Sequence, residues 1–126
     1  MESIIITIPL NPVTKKNSGR IVGSGKPRLI PSKAYSEYER ACGFFIRGKT
    51  RAAINTPVEV TCRFYMRTRR RVDLVNLLNA VDDVLVHYGV IADDNSSIIV
   101  SHDGSRVLYD KNNPRTEVDI HEIDSS

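Results

Sequence analysis

The chain has 126 residues, 40% apolar and 26% charged, with a net charge of +3. That length holds one domain, residues 1–126, with a core large enough to need no disulfide. No apolar run approaches the ~20 residues of a membrane span, so a soluble globular protein is expected. Met1-Glu2-Ser3 leads into a short β-like run with no cationic leader, and Cys42 and Cys62 lack metal-ligand spacing. Both features predict a cytoplasmic protein with reduced thiols.

Charge is segregated along the chain. Lys15, Lys16, Arg20, Lys26, Arg28 and Lys33 fall in a stretch from Ser3 to Lys33 that has no acid. Five arginines lie between Arg63 and Arg71, again with no acid. From Val72 to Ser105 there is no Lys or Arg, while Asp73, Asp82, Asp83, Asp93, Asp94 and Asp103 all fall there. Two cationic runs flanking an acid-only block point to a polyanion, nucleic acid above all, held beside an acidic site.

In chain order, Ile4 to Ile8 is a dense β-branched run and predicts a strand, central and covered on both faces. Pro9 and Pro12 end it. Residues 11–31 are rich in Gly, Lys, Asn, Ser and Pro and read as a long functional loop. Ser32 suits an N-cap for a helix from Ala34 to about Gly48, with an apolar stripe of Tyr35, Tyr38, Cys42, Phe45 and Ile46. After Pro57, Val58, Val60, Cys62, Phe64 and Met66 alternate with Glu59, Thr61, Arg63, Tyr65 and Arg67, which is a half-buried strand.

The next helix is the strongest element. Asp73 caps it, and Leu74, Leu77, Leu78, Val81, Leu85 and Tyr88 form its apolar face. Gly89 supplies the left-handed position that ends it, followed by Val90 as the hydrophobic contact. Asn76, Asn79, Asp83 and His87 share a polar stripe. Asp93-Asp94-Asn95-Ser96 is turn chemistry. Ile98 to Tyr109 is a strand with a break at Asp103-Gly104, and residues 110–114 are a turn. Arg115 to His121 is the last strand, and the two strands are expected to form a hairpin. The order β-α-β-α-β-β predicts an α+β domain, a mixed sheet with two main helices packed against it.

Arginines holding phosphates beside carboxylates holding a divalent ion suit metal-dependent phosphodiester chemistry. Magnesium takes one or two carboxylates plus waters and substrate phosphate, and Asp73, Asp93 and Asp94 are candidates. The helix between them is ~24 Å long. Their cooperation therefore needs a chain reversal after Gly89 or a partner subunit. Taken singly, Asp73 also reads as a helix cap, Asp93-Asp94 as a solvated turn, Asp83 and His87 as an exposed helix face, and His102 as a hydrogen-bonded strand histidine.

Arg69-Arg70-Arg71-Val72-Asp73-Leu74-Val75-Asn76-Leu77, then a helix containing Asp83, then Gly89-Val90-Ile91-Ala92-Asp93-Asp94, resembles the RusA-type crossover-junction endodeoxyribonucleases, Holliday junction resolvases often carried by phages and prophages. Pro12 to Ser18 and Pro31-Ser32 through Tyr35, Tyr38 and Glu39 resemble that family's basic loop and first helix. The resemblance implies a homodimer that binds four-way DNA junctions and nicks two strands symmetrically with Mg²⁺, for which Mn²⁺ is a possible substitute. It implies catalytic and metal-binding roles for Asp73 and Asp94, with Asp93 beside it. DNA contacts are expected from Lys15, Lys16, Asn17, Arg69, Arg70 and Arg71, and Asn76 marks the helix start.

This chain departs from the family pattern twice. Val75 stands where a second acid is usual, and Asn79 where a lysine is usual. The first loses a carboxylate oxygen, for which Asp83 or Asp82 is the nearest substitute on the helix. The second loses a cation able to stabilise charge developing at phosphorus, for which Lys15, Lys16, Arg71 or His87 could stand in. Two other readings follow. The first is a junction-binding protein of the same fold with weakened or lost catalysis. The second is an RNA-binding or structural module whose aspartates are only caps and turns.

Overall fold

The computed structural model describes residues 3–15, 20–22, 28–30 and 33–123. Nine elements follow in order: β1 (Ser3–Ile8), β2 (Arg20–Val22), β3 (Arg28–Ile30), α1 (Lys33–Ile46), β4 (Val58–Met66), α2 (Leu74–His87), β5 (Ile99–Ser101), β6 (Arg106–Tyr109) and β7 (Arg115–Glu122). This is the expected α+β arrangement, with a short antiparallel pair, β2 and β3, added inside the predicted loop. Lys16, Asn17 and the predicted cap Ser32 lie outside the described residues.

The main sheet is mixed. β7 lies between β1 and β4 and is antiparallel to both. β5 and β6 both run parallel to β4 on its other side. The predicted strand from Ile98 to Tyr109 is therefore one path along the edge of β4, interrupted where Gly104 turns with φ +84°. The expected hairpin does not form, because β4 separates β6 from β7. Residues 110–114 step over the end of β4, a gap of two strand spacings, ~10 Å, which five residues span easily. Arg115 holds the crossing through an ion pair to Asp110 at 2.9 Å and by lying over the Tyr65 ring.

β1 is an edge strand, not a central one, and Ile5 is 63% exposed. A run of isoleucines matches a doubly covered strand in composition, but only Ile6 and Ile8 are buried. They share one face with Val58, Val60, Cys62 and Phe64 of β4 and with Val118 and Ile120 of β7, and the helices close that face into a single core. α1 contributes Tyr35, Tyr38, Cys42 and Ile46, and α2 contributes Leu77, Val81, Val84 and Leu85. Burial pushes the Cys42 thiol up to about 12, and the Cys62 thiol is also raised by burial, so both stay protonated. No helix among the described residues is long and apolar enough to cross a membrane.

The end of α2 decides where the acidic turn goes. Gly89 has φ +72°. Its N–H donates to the Val86 carbonyl and that of Val90 to the Leu85 carbonyl, the paired bonds of a Schellman cap. The chain then reverses, and Val90 and Ala92 bond to Ile54 beside the start of β4. The reversal that the sequence left open is thus present within one chain.

Candidate nucleic-acid interface and acidic site

β4 ends at Met66, and residues 67–73 form an irregular link to α2. The link is held by backbone bonds: Arg67 N–H donates to Asn11 Oδ1 and Arg70 N–H to Thr68 Oγ1. Arg67, Arg69, Arg70 and Arg71 are exposed. None of them makes an ion pair among the described residues. Arg63, the first arginine of the run, is different. It points to the outer sheet face, where Glu117 bridges it to Arg115 at 2.9 and 2.8 Å. These two guanidinium groups hold the Glu117 carboxyl below its usual range. The link thus presents four arginines without ion pairs among the described residues, at the C-terminal end of β4.

Asp73 closes the link. Its backbone is extended, with φ −88° and ψ 118°, and its Oδ1 accepts the Val75 N–H at 3.0 Å. It is an exposed N-cap, and its charge sits against the positive end of the α2 dipole. Val75 is 61% exposed on the first turn, Asn76 is half-buried and Asn79 is exposed.

Farther along α2 the two neighbouring acids part. Asp83 accepts Lys15 Nζ at 2.8 Å, which ties the amino-terminal segment to the helix, and Lys15 also lies 5.4 Å from the Tyr35 ring centre. Asp82 turns inward and is 6% exposed. Its Oδ2 meets His102 Nε2 at 2.8 Å, while His102 Nδ1 meets the Val60 carbonyl at 2.8 Å. A carbonyl only accepts, so Nδ1 carries a proton, and the Nε2–Oδ2 contact holds a second one between its two atoms. Burial raises the Asp82 carboxyl, with Asp94 and Asp83 adding to it. The bond to Asp82 raises His102 above 6.5, which favours the imidazolium. Asp82 Oδ1 is buried without a partner among the described residues.

Asp93 and Asp94 lie on the returning chain, both exposed. Asp93 Oδ1 accepts the Asp94 N–H at 2.7 Å and its Oδ2 accepts Asn95 Nδ2 at 3.1 Å. The backbone bond from Asp94, foremost, lowers the Asp93 carboxyl. Asp94 comes within electrostatic reach of Asp82, midway along α2. Asp73 begins the same helix nine residues earlier, ~13 Å away along the axis. Among the described residues no three His, Cys, Asp or Glu side chains are gathered to hold a metal.

The buried Asp82–His102 pair was missed from sequence, though a signal existed. At ~100° per residue Asp82 falls about 40° beyond Leu78, at the margin of the apolar face and off the polar stripe. A carboxylate there needs a buried partner.

On a mixed α+β fold, exposed arginines without acidic partners among the described residues lead into a carboxylate at a helix N-terminus. The family described as Endodeoxyribonuclease RusA matches residues 9–121, nearly the whole chain, and the chain belongs to that family. It is thereby placed among enzymes that cut within DNA. Comparison with curated proteins finds no match.

Proposed function

We propose that the chain is a homodimeric, Mg²⁺-dependent, structure-selective endonuclease that resolves four-way DNA junctions by paired symmetric nicks. The observation that carries this is the arginine link of residues 67–71, exposed and free of ion pairs among the described residues, running into Asp73 at the start of α2. Guanidinium forks bind phosphate oxygens in pairs, so Arg69, Arg70 and Arg71 would seat a backbone phosphate within reach of Asp73. Such contacts position DNA without reading bases, so selectivity would come from the shape of the branch.

The donor chemistry suits magnesium, because Asp73, Asp93 and Asp94 offer exposed carboxylate oxygens and no sulfur or imidazole. One chain does not form a closed ligand set. The ion is therefore proposed to be completed by DNA phosphate and water or by a second subunit, with Asp73 at the start of α2 and Asp94 beside its middle. When bound, it supplies a Lewis acid at phosphorus. Lys15 and Asp83, paired at 2.8 Å, hold the chain at residue 15 against α2.

A labelled four-way junction incubated with Mg²⁺, Mn²⁺ or EDTA tests this reading. Symmetric nicks with either metal, lost in EDTA and in Asp73→Asn, are expected. Cleavage that survives both treatments overturns it. One observation favours a second reading, a junction-binding protein with weakened catalysis: Val75 is an exposed valine where the family usually places an acid. Junction DNA that is shifted in gels yet never nicked in any divalent metal would select that reading.

A further inference from the structure

A cavity of about 390 Å³ opens at the C-terminal end of β4 and β6, on the arginine link a few residues before Asp73. It is lined by the apolar residues Met66, Val107 and Leu108, by Thr68, and by the cations Arg69 and Arg70. Tyr109 completes the wall. The Arg69 guanidinium carbon lies 4.0 Å from the centre of the Tyr109 ring, so the two groups are stacked before any ligand arrives. Val107 and Tyr109 are each 38% exposed, a level at which an apolar strand end next to arginines remains open to solvent. No acid lines the cavity.

The chemistry of this wall is not that of a phosphate site alone. Phosphate needs the guanidinium groups but gains nothing from Met66, Val107, Leu108 or the face of Tyr109. An unpaired nucleobase uses all of them. Its flat face stacks on aromatic and guanidinium planes, its edge rests on apolar side chains, and its own phosphate reaches the neighbouring arginine. A cavity of this size lies within the range of small-ligand pockets. We infer that the Arg69–Tyr109 cavity is a stacking site for one unpaired base of the bound DNA, with Arg70 on the adjoining phosphate. The inference rests on the reading that the chain binds DNA. It adds that the protein favours DNA in which a base beside the bound phosphate is unstacked.

The test measures binding in EDTA to three probes: a short single strand, a linear duplex of the same sequence, and a four-way junction, with 2-aminopurine as a reporter of stacking. Wild-type protein is expected to quench 2-aminopurine in the single strand and not in the duplex. Tyr109→Ala should weaken single-strand binding about tenfold, change duplex binding by less than about twofold, and leave the salt slope unchanged, while Arg69→Lys should weaken the single strand more than the duplex. Tyr109→Phe should bind as wild type. Arg70→Ala should weaken all three probes together and flatten the salt slope, as a phosphate contact does. Single-strand binding untouched by both Tyr109→Ala and Arg69→Lys, or an equal loss on single strand and duplex, overturns the stacking site. Junction binding that persists in that case leaves the proposed function standing. Absence of binding to every probe by wild-type protein overturns both. Arg69→Lys changes an exposed side chain, so it reports on stacking even if Tyr109→Ala lowers the melting temperature.

Discussion

Asp73 is asked to do two things, and substitutions separate them. Its Oδ1 accepts the Val75 N–H at 3.0 Å, which makes it the cap of α2. Its charge is proposed to serve the cutting reaction. Asp73→Asn keeps a capping oxygen of nearly equal quality and removes the charge; at this exposed end the lost charge–dipole attraction is a few tenths of a kcal/mol. Asp73→Ala removes the cap as well, costing about 1 kcal/mol, or about 4 °C in melting temperature for a domain of this size. Thermal unfolding followed by circular dichroism, run beside the junction-cleavage assay, should give a nearly native melting temperature for Asn and a lowered one for Ala. Cleavage should be lost in both. If Asp73→Asn cuts at the wild-type rate, Asp73 is a cap and nothing more, and the proposed site must be rebuilt without it.

Three further outcomes follow from the structure. Val75→Asp places a carboxylate on an exposed first-turn position where the helix dipole favours it, so it should fold as wild type and raise the rate of junction cleavage; an unchanged rate refutes the missing-acid argument. Gly43→Ala would put a Cβ 2.8 Å from two ring carbons of Tyr88, whose hydroxyl is anchored on the Glu39 carbonyl. The clash should outweigh the helix-propensity gain and cost about 1 kcal/mol or more in urea unfolding; a stabilised variant would show that the ring yields. His102 has a folded pKa raised above 6.5 by Asp82, so its contribution is fully present below about pH 6.5 and is lost as pH rises through the folded value. Wild-type stability should fall across that window, and His102→Gln should be less stable at pH 6 with a flatter slope. The Asp82 carboxyl, raised by burial, acts in the same direction.

Much of the fold was legible because local rules agreed with one another. Alternation from Val58 to Met66 matches β4, with Val58, Val60, Cys62 and Phe64 fully buried. The Leu-rich period between Asp73 and Gly89 matches α2, cap to cap. What was not legible involves pairing between distant segments. β1 reads as central because isoleucine runs are alike at the centre and the edge, and only the order β1-β7-β4 reveals the exposed side of Ile5. The step of residues 110–114 over β4 reads as a hairpin turn because five residues close either connection.

The candidate site divides in the same way. The arginine link, the Asp73 cap and the Asp93-Asp94 turn were readable, since each is a local pattern whose chemistry depends on neighbours in sequence. Which acids face one another was not readable. The Schellman turn at Gly89 and the bonds from Val90 and Ala92 to Ile54 bring Asp94 toward Asp82. His102, twenty residues from Asp82, meets it only because the chain before β6 follows the edge of β4 back to Val60. Sequence by itself determined the main helices and strands, the caps of α2 and the cationic run, because these follow from periodicity and from side chains bonding to nearby backbone. Tertiary structure decided which charges are buried, paired or free, because burial and electrostatic contact depend on distances between segments far apart in the chain.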